Sequence, residues 1–246
     1  MKERPILFSA QMVLALLRET NPKTQTRRVV RLPQNVDGMP DHWCPAPYGG
    51  YGEKGGFIPL NSLGGIATKA FHYHHVMCPY GQPGDRLWVR ETWAPRVAGD
   101  MCKGGYWYAA DPETALFKET WIGFKWRPSI FMPRVASRIT LEITGVRVER
   151  LQEISETDAI AEGLRAVTGD GGGRGPGHKW TGVGYEGATP GFFHVPDPDT
   201  GRCHCKLAGP TPAQCAYSDL WDKINGPGSW EGNQFVWVLA FKRVAP

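Results

Sequence analysis

The sequence predicts an α+β protein: a small mixed β-barrel with flanking helices and two long insertions. Three observations lead there. Short runs of β-branched and aromatic residues alternate irregularly with two or three helical segments, without the regular strand-helix repeat that builds a doubly wound sheet. Two stretches, at about residues 33–80 and 165–212, are dominated by Gly and Pro and read as insertions within one domain spanning residues 1–246. A composition that is 41% hydrophobic, with 10 Trp, 10 Phe and 8 Tyr, supplies enough apolar surface for a real core.

In chain order, residues 6–17 read as a short apolar strand or turn and then a helix, with Met12, Ala15 and Leu16 available to one face and Pro22 closing it. Gly84-Asp85 is a turn signal, and the run from Arg86 to Trp93 is a strand of β-branched and aromatic residues. The run Tyr106-Trp107-Tyr108-Ala109-Ala110 is expected to pair with it. Residues 138–144 alternate as a half-buried strand, which Val146 and Val148 continue past a bend at Gly145. Ser155 is a candidate N-cap, with Asp158 three residues later and Ile154 placed to staple onto Ala159; that helix should run to about Leu164. Residues 212–225 predict a closing helix with Ala216, Leu220, Trp221 and Ile224 on one face, followed by a buried strand over residues 235–241.

Composition also excludes classes. No apolar run approaches the roughly 18 residues a membrane helix needs, and the apolar run after Met1-Lys2-Glu3-Arg4-Pro5 is too short for a secretory signal. The expectation is a cytoplasmic protein without a membrane partner. The net charge of +4, from 28 Lys and Arg against 24 Asp and Glu, permits a polyanionic partner without requiring one. In such a compartment the six cysteines are expected to be free thiols or metal ligands rather than a disulfide framework. A zinc site could be drawn from Cys203-His204-Cys205 and Cys215, with His72, His74, His75 and Cys78, but this spacing matches no common finger and no cofactor is expected. Gly171-Gly172-Gly173-Arg174-Gly175 has neither a preceding strand nor the Gly-Lys-Ser/Thr ending of a phosphate loop.

The most chemically loaded segment is Lys23-Thr24-Gln25-Thr26-Arg27-Arg28, which groups an amine, two hydroxyls and two guanidiniums in six residues. A lysine serves as a general base when burial and neighbouring cations lower its pKa, and a threonine hydroxyl becomes nucleophilic beside such a base. The plainer alternatives are a lysine capping the preceding helix through its carbonyls and a turn threonine bonded to backbone.

With these elements placed, the chain resembles the ASCH domain family of the PUA-like superfamily, in the long form found in phages and prophages. The resemblance rests on Pro5-Ile6-Leu7-Phe8-Ser9 leading to Lys23-Thr24-Gln25-Thr26-Arg27-Arg28, on Cys78-Pro79-Tyr80-Gly81 with Gly84-Asp85-Arg86-Leu87-Trp88-Val89-Arg90-Glu91, and on the run from Trp126 to Arg134. The stretches from Ser137 to Gly163 and from Leu220 to Val238 complete it. The chain departs from that pattern at Phe131, where relatives often carry His, and at Val135, where they carry Trp.

The resemblance implies a PUA-like barrel and a cleft associated with RNA or modified nucleosides. Some small ASCH proteins are amidohydrolases that deacylate N4-acetylcytidine, with a Lys-x-x-Thr motif and a Glu in the helix after a central strand. Carried over, these are Lys23, Thr26 and Glu162: Lys23 deprotonates Thr26, the hydroxyl attacks the amide carbonyl, and Glu162 orients the lysine or shuttles a proton. Glu156 and Asp158 are the alternative acids, but both lie in the first helical turn, where they suit the helix dipole. Arg27, Arg28, Arg90, Glu91, Arg127 and Arg134, with Trp126 as a stacking surface, are the expected substrate contacts, against the plainer reading of surface ion pairs. The alternatives to the amidohydrolase are an RNA- or DNA-binding module without chemistry and a ribonuclease, for which Lys23 would have to act as base since no His lies in the matching motifs.

Overall fold

The computed structural model describes residues 1–31, 42–46, 56–60, 76–96, 105–115, 125–168, 171–172, 179–180, 183–186, 193–194 and 211–244. The elements in order are β1 (Glu3–Leu7), α1 (Ala10–Leu17), β2 (Gln25–Val29), β3 (His42–Ala46), β4 (Gly56–Leu60), β5 (Val76–Met77), β6 (Arg86–Arg90), β7 (Trp93–Pro95), β8 (Tyr106–Tyr108) and α2 (Pro112–Ala115). They continue with β9 (Thr140–Arg150), α3 (Glu156–Ala161), β10 (Ala166–Thr168), β11 (Gly171–Gly172), β12 (Lys179–Trp180), β13 (Val183–Glu186), β14 (Phe193–His194), α4 (Pro212–Asn225) and β15 (Phe235–Val244).

The principal sheet has five strands in the order β1-β6-β9-β15-β2 and is not closed into a barrel, which corrects the barrel expected from the sequence. It is mixed: β1 runs parallel to β6, from Glu3 opposite Arg86 to Leu7 opposite Arg90, whereas β6 and β9 are antiparallel. The run from Arg86 to Trp93 is divided: β6 pairs within the principal sheet, and Trp93 opens β7, whose partner over Tyr106–Tyr108 is β8. The bend expected at Gly145 does not break β9, which continues for eleven residues. The Gly/Pro-rich insertions carry short strands among their described residues, in a three-stranded sheet β3-β4-β5, another of order β10-β13-β14, and the pair β11-β12.

Two compact units make up the chain. One comprises residues 1–19, 34–147 and 239–246, the other residues 20–33 and 148–238. In the first, Asp85 follows the Gly84 turn and accepts from the backbone N–H of Lys2 at 2.7 Å and from Arg4 Nη1 at 3.0 Å, which pins the start of β1 beside β6. Phe8, Val13, Leu87, Leu141 and Ile143 are buried there.

In the second unit the helix signals act as capping chemistry. Ser155 Oγ accepts from Asp158 N at 3.1 Å, and both Ile154 and Ala159 lie in the buried core. The helix stops at Ala161, earlier than the expected Leu164, because the next residues turn out of it and Gly163 takes φ 96°, a conformation glycine adopts without steric cost. Thr211 and Gln214 form a reciprocal capping box at 3.4 and 2.8 Å, Pro212 takes the first helical turn, and Gly226 at φ 106° ends α4. The buried face of α4 is Ala213, Ala216, Tyr217 and Trp221, packed with Leu151, Trp230, Val236 and Val238; Ile224, expected on that face, is 48% exposed.

Cys78 is a free thiol, but Cys215 is disulfide-bonded, so its sulfur is not the free thiol or metal ligand expected. The other zinc candidates, His72, His74, His75, Cys203, His204 and Cys205, lie outside the described residues. Among the described residues no group of His, Cys, Asp and Glu is arranged to hold a metal ion, and no helix is long and apolar enough to cross a membrane.

Burial on α4 makes a direct prediction. Trp221→Ala should cost about 3–5 kcal/mol and Ile224→Ala no more than about 0.5 kcal/mol in urea unfolding. Equal costs would mean that the helix packs on the other face.

Candidate functional site

Lys23 reaches its position through a turn in which Asn21 takes φ 47°, a left-handed conformation that asparagine tolerates. The chain then meets the C-terminal end of α3. The backbone N–H of Thr24 donates to the Ala161 carbonyl at 2.9 Å, and Lys23 Nζ donates to the Glu162 carbonyl at 2.7 Å. Both satisfy carbonyls that a helix leaves without intrahelical partners. Lys23 thus does cap a helix, though it is the following one rather than the preceding one.

The same ammonium donates to Glu162 Oε2 at 2.6 Å. Lys23 is 3% exposed and Glu162 5% exposed, so this is a buried ion pair. Burial pushes the Lys23 amine below the ordinary lysine value; the Glu162 charge and hydrogen bond resist that shift, and the nearby Arg28 and Arg27 charges add to it.

Arg27 holds the other side of Glu162. Its Nε donates to Glu149 Oε1 at 3.1 Å; one terminal nitrogen donates to Gln25 Oε1 at 2.9 Å and Glu162 Oε1 at 3.2 Å; the other donates to Asp158 Oδ2 at 3.0 Å and to Glu149. A guanidinium has five N–H bonds, and here each has a protein acceptor. Burial opposes the charge, but Glu162 and Glu149 outweigh it and push the Arg27 pKa upward. Gln25 completes the network by donating to Asp158 Oδ1 at 3.3 Å. Above it stands Tyr217, buried on α4, with Arg27 5.8 Å from its ring centre. Burial first, then the Glu162 charge and a hydrogen bond to Glu162, raise the Tyr217 phenol well above its ordinary value.

Strand alternation accounts for the grouping. Gln25 and Arg27, two residues apart on β2, both reach the acidic end of α3. Thr26 is buried, at 1% exposure, and Arg28 is half-buried.

The other expected contacts fall in the first unit. Glu91 is 1% exposed and takes a two-pronged bond from Arg138, at 2.9 and 3.1 Å, while Arg138 also pairs with Asp111 at 2.6 Å and lies 3.9 Å from the Tyr108 ring centre. Burial nonetheless raises the Glu91 carboxyl above its ordinary value against the pull of Arg138. Arg90 lies 4.6 Å from the Trp88 ring centre and donates to the Ile130 carbonyl at 3.2 Å. Arg127 is exposed and lies 5.3 Å from the ring centre of Trp93, Arg134 is exposed and pairs with Glu3 at 3.1 Å, and Trp126 is half-buried. Arg138, Asp111, Glu149 and Tyr217 had no local sequence signal; strand parity with Arg27 would have flagged only Gln25.

Comparison of the chain with protein-family models, curated proteins and solved structures gave no match.

The buried pair makes a stability prediction. Glu162→Gln leaves the Lys23 charge without its main partner and should cost about 3–5 kcal/mol at neutral pH. Because the folded-state pKa of Lys23 is depressed, its favourable contribution is complete above the ordinary lysine value of about 10.4 and is lost as pH falls through the lower folded value. Unfolding at several alkaline pH values should therefore show the deficit of the variant shrinking as Lys23 deprotonates. A deficit that grows with pH would contradict the buried-amine account.

Proposed function

We propose that this protein is an amide-cleaving hydrolase acting on an N4-acylated or otherwise modified pyrimidine nucleoside, with Lys23, Thr26 and Glu162 at its centre. The observation that carries the reading is the buried Lys23–Glu162 pair: an amine 3% exposed, flanked by arginines and pushed toward its neutral form, is suited to be a general base. The sequence resemblance to ASCH amidohydrolases supplies the substrate class.

In the proposed reaction the Lys23 Nζ lone pair takes the proton of Thr26 Oγ1, and that oxygen adds to the acyl carbonyl carbon. The tetrahedral intermediate collapses by breaking the C–N bond while the Lys23 ammonium returns its proton to the departing exocyclic amine. Water, deprotonated by the same amine, then adds to the acyl-threonine ester; the acyl C–O bond breaks as the Lys23 ammonium returns its proton to Thr26 Oγ1, and the carboxylic acid leaves. Glu162 orients Lys23 through both its carboxylate and its carbonyl, and its carboxylate offsets the charge that the lysine carries between steps.

A second reading, a nucleic-acid-binding module without chemistry, is favoured by a different observation: Arg127, Arg134 and a 66% exposed Phe131 lie along one short segment of the first unit. One experiment separates the two. Incubation with N4-acetylcytidine and a panel of N4-acylated nucleosides, followed by chromatography, should release the deacylated nucleoside. Lys23→Ala should lower the rate by about 10²- to 10⁴-fold, and Thr26→Ser should retain more activity than Thr26→Ala. Folded protein that yields no product from any of them, yet retains single strands in a salt-dependent way, would favour the binding module.

A further inference from the structure

We propose that the knob formed by Ile130, Phe131 and Val135 in the first unit is a docking surface for an acidic, amphipathic peptide segment of another protein. The inference goes beyond the hydrolase reading and does not rest on it, since it involves no residue of the Lys23 cluster.

Ile130, Phe131 and Val135 are 53, 66 and 77% exposed although each is large and apolar. Exposed apolar side chains grouped in this way mark interaction sites, whereas single ones need no explanation. Two one-turn 3-10 helices present them, Ser129–Phe131 and Arg134–Ala136. The backbone N–H of Phe131 donates to the Pro128 carbonyl at 3.0 Å, and that of Ala136 to the Pro133 carbonyl at 3.0 Å. Between the exposed residues, Met132 and Ala136 are buried and pack with Trp93. Ser137 Oγ donates to the Val89 carbonyl at 2.8 Å, and Arg90 Nη1 donates to the Ile130 carbonyl at 3.2 Å. A knob held from below in this way loses little conformational freedom when it docks.

The rim of the knob is cationic. From residue 125 to residue 135 the chain carries Lys125, Arg127 and Arg134 and no acid, and Arg90 stands beside Ile130. The Trp88 ring centre is 4.6 Å from the Arg90 guanidinium and 5.9 Å from that of Arg134, and Arg127 lies 5.3 Å from the Trp93 ring centre. Stacking against indoles restrains these guanidiniums before any partner arrives. Glu3 pairs with Arg134 at 3.1 Å, but both side chains are exposed, so a partner's carboxylate replaces that contact at little cost.

Charge and shape together select the occupant. A second copy of the same face would set arginine against arginine across a two-fold axis, so the complement is acidic and of other sequence. The same arginines carry the binding-module reading, and the apolar part of the knob separates the two. A single strand stacks on one ring, Phe131, and gains no stacking from Ile130 and Val135, which have no π face. A peptide with apolar side chains at helical spacing covers all three and sets its carboxylates against the rim.

The test is selection of a displayed random-peptide library on the immobilised full chain, after depletion on Phe131→Asp, with the recovered sequences remade as synthetic peptides for affinity measurement. Recovered peptides should be rich in Asp or Glu together with Leu, Ile, Phe or Trp. Their affinity should fall at least about tenfold with Phe131→Ala and about three- to tenfold with Arg127→Glu, and should weaken as salt rises. Thermal melts confirm that the variants fold, and Val135→Asp replaces Phe131→Asp in the depletion if the latter does not. No recovered peptide, peptides without an acidic excess, or peptides that bind Phe131→Ala as tightly as the wild type overturn the proposal. So does an oligouridine, or a vesicle containing phosphatidylglycerol, that binds through Phe131 more tightly than every recovered peptide; the oligouridine result favours the binding module. Deacylation of nucleosides, present or absent, leaves each of these outcomes unchanged.

Discussion

The Arg27 guanidinium distributes its N–H bonds over acceptors from β2, β9 and α3, and the arrangement of the second unit around Lys23 depends on that distribution. A buried guanidinium is costly unless every donor is met, because removing the charge from water costs several kcal/mol before any partner is counted. Here Gln25 comes from the strand itself, Glu149 from β9, and Asp158 and Glu162 from one helix. Moving any of those elements by a fraction of a bond length strands a donor or an acceptor. The network therefore adds less to net stability than its number of bonds suggests and does more to fix where each group sits.

That fixed placement is what gives the lysine its properties. Glu162 stands at the end of α3 because the helix turns off before Gly163, and its carboxylate is shared by Arg27 on one oxygen and Lys23 on the other. With its N–H bonds taken by protein acceptors, the arginine acts on Lys23 as a nearby positive charge. The lysine meets the helix end with its amine out of water, where burial favours loss of the proton and the Glu162 carboxylate resists it. An amine in that balance gives up its proton more readily than one in solvent.

Much of the local structure was legible because caps and turns are written in adjacent residues. Ser155, Thr211 with Gln214, and Pro212 each announce a helix start, and the alternating run ending the chain announces β15. Long-range pairing was not legible: nothing near Trp93 says that it begins a new strand facing Tyr108, and nothing in the strands themselves says that the principal sheet stays open. The site divides in the same way. A short motif singled out Lys23 and the family resemblance singled out Glu162, and the fold sets the two side chains 2.6 Å apart. Glu149, 122 residues from Arg27, and Tyr217 on α4 carry ordinary residue types in ordinary surroundings, so only tertiary contact reveals them. Ile224 shows the limit on one helix: its spacing fits the apolar face, yet α4 ends on a glycine turn beyond the core and leaves it in water.

The central claim is that Lys23 turns Thr26 into the nucleophile of an amide hydrolysis. The measurement that meets it most directly is mass spectrometry of the protein quenched during turnover of N4-acetylcytidine and cleaved with trypsin, reading the peptide Thr24-Gln25-Thr26-Arg27. The account predicts an acetyl group on Thr26 that appears early, decays with product formation and is absent in Lys23→Ala, where the site is read on the longer peptide from Glu19 to Arg27. Cytidine released with this peptide unmodified at every time point would contradict it.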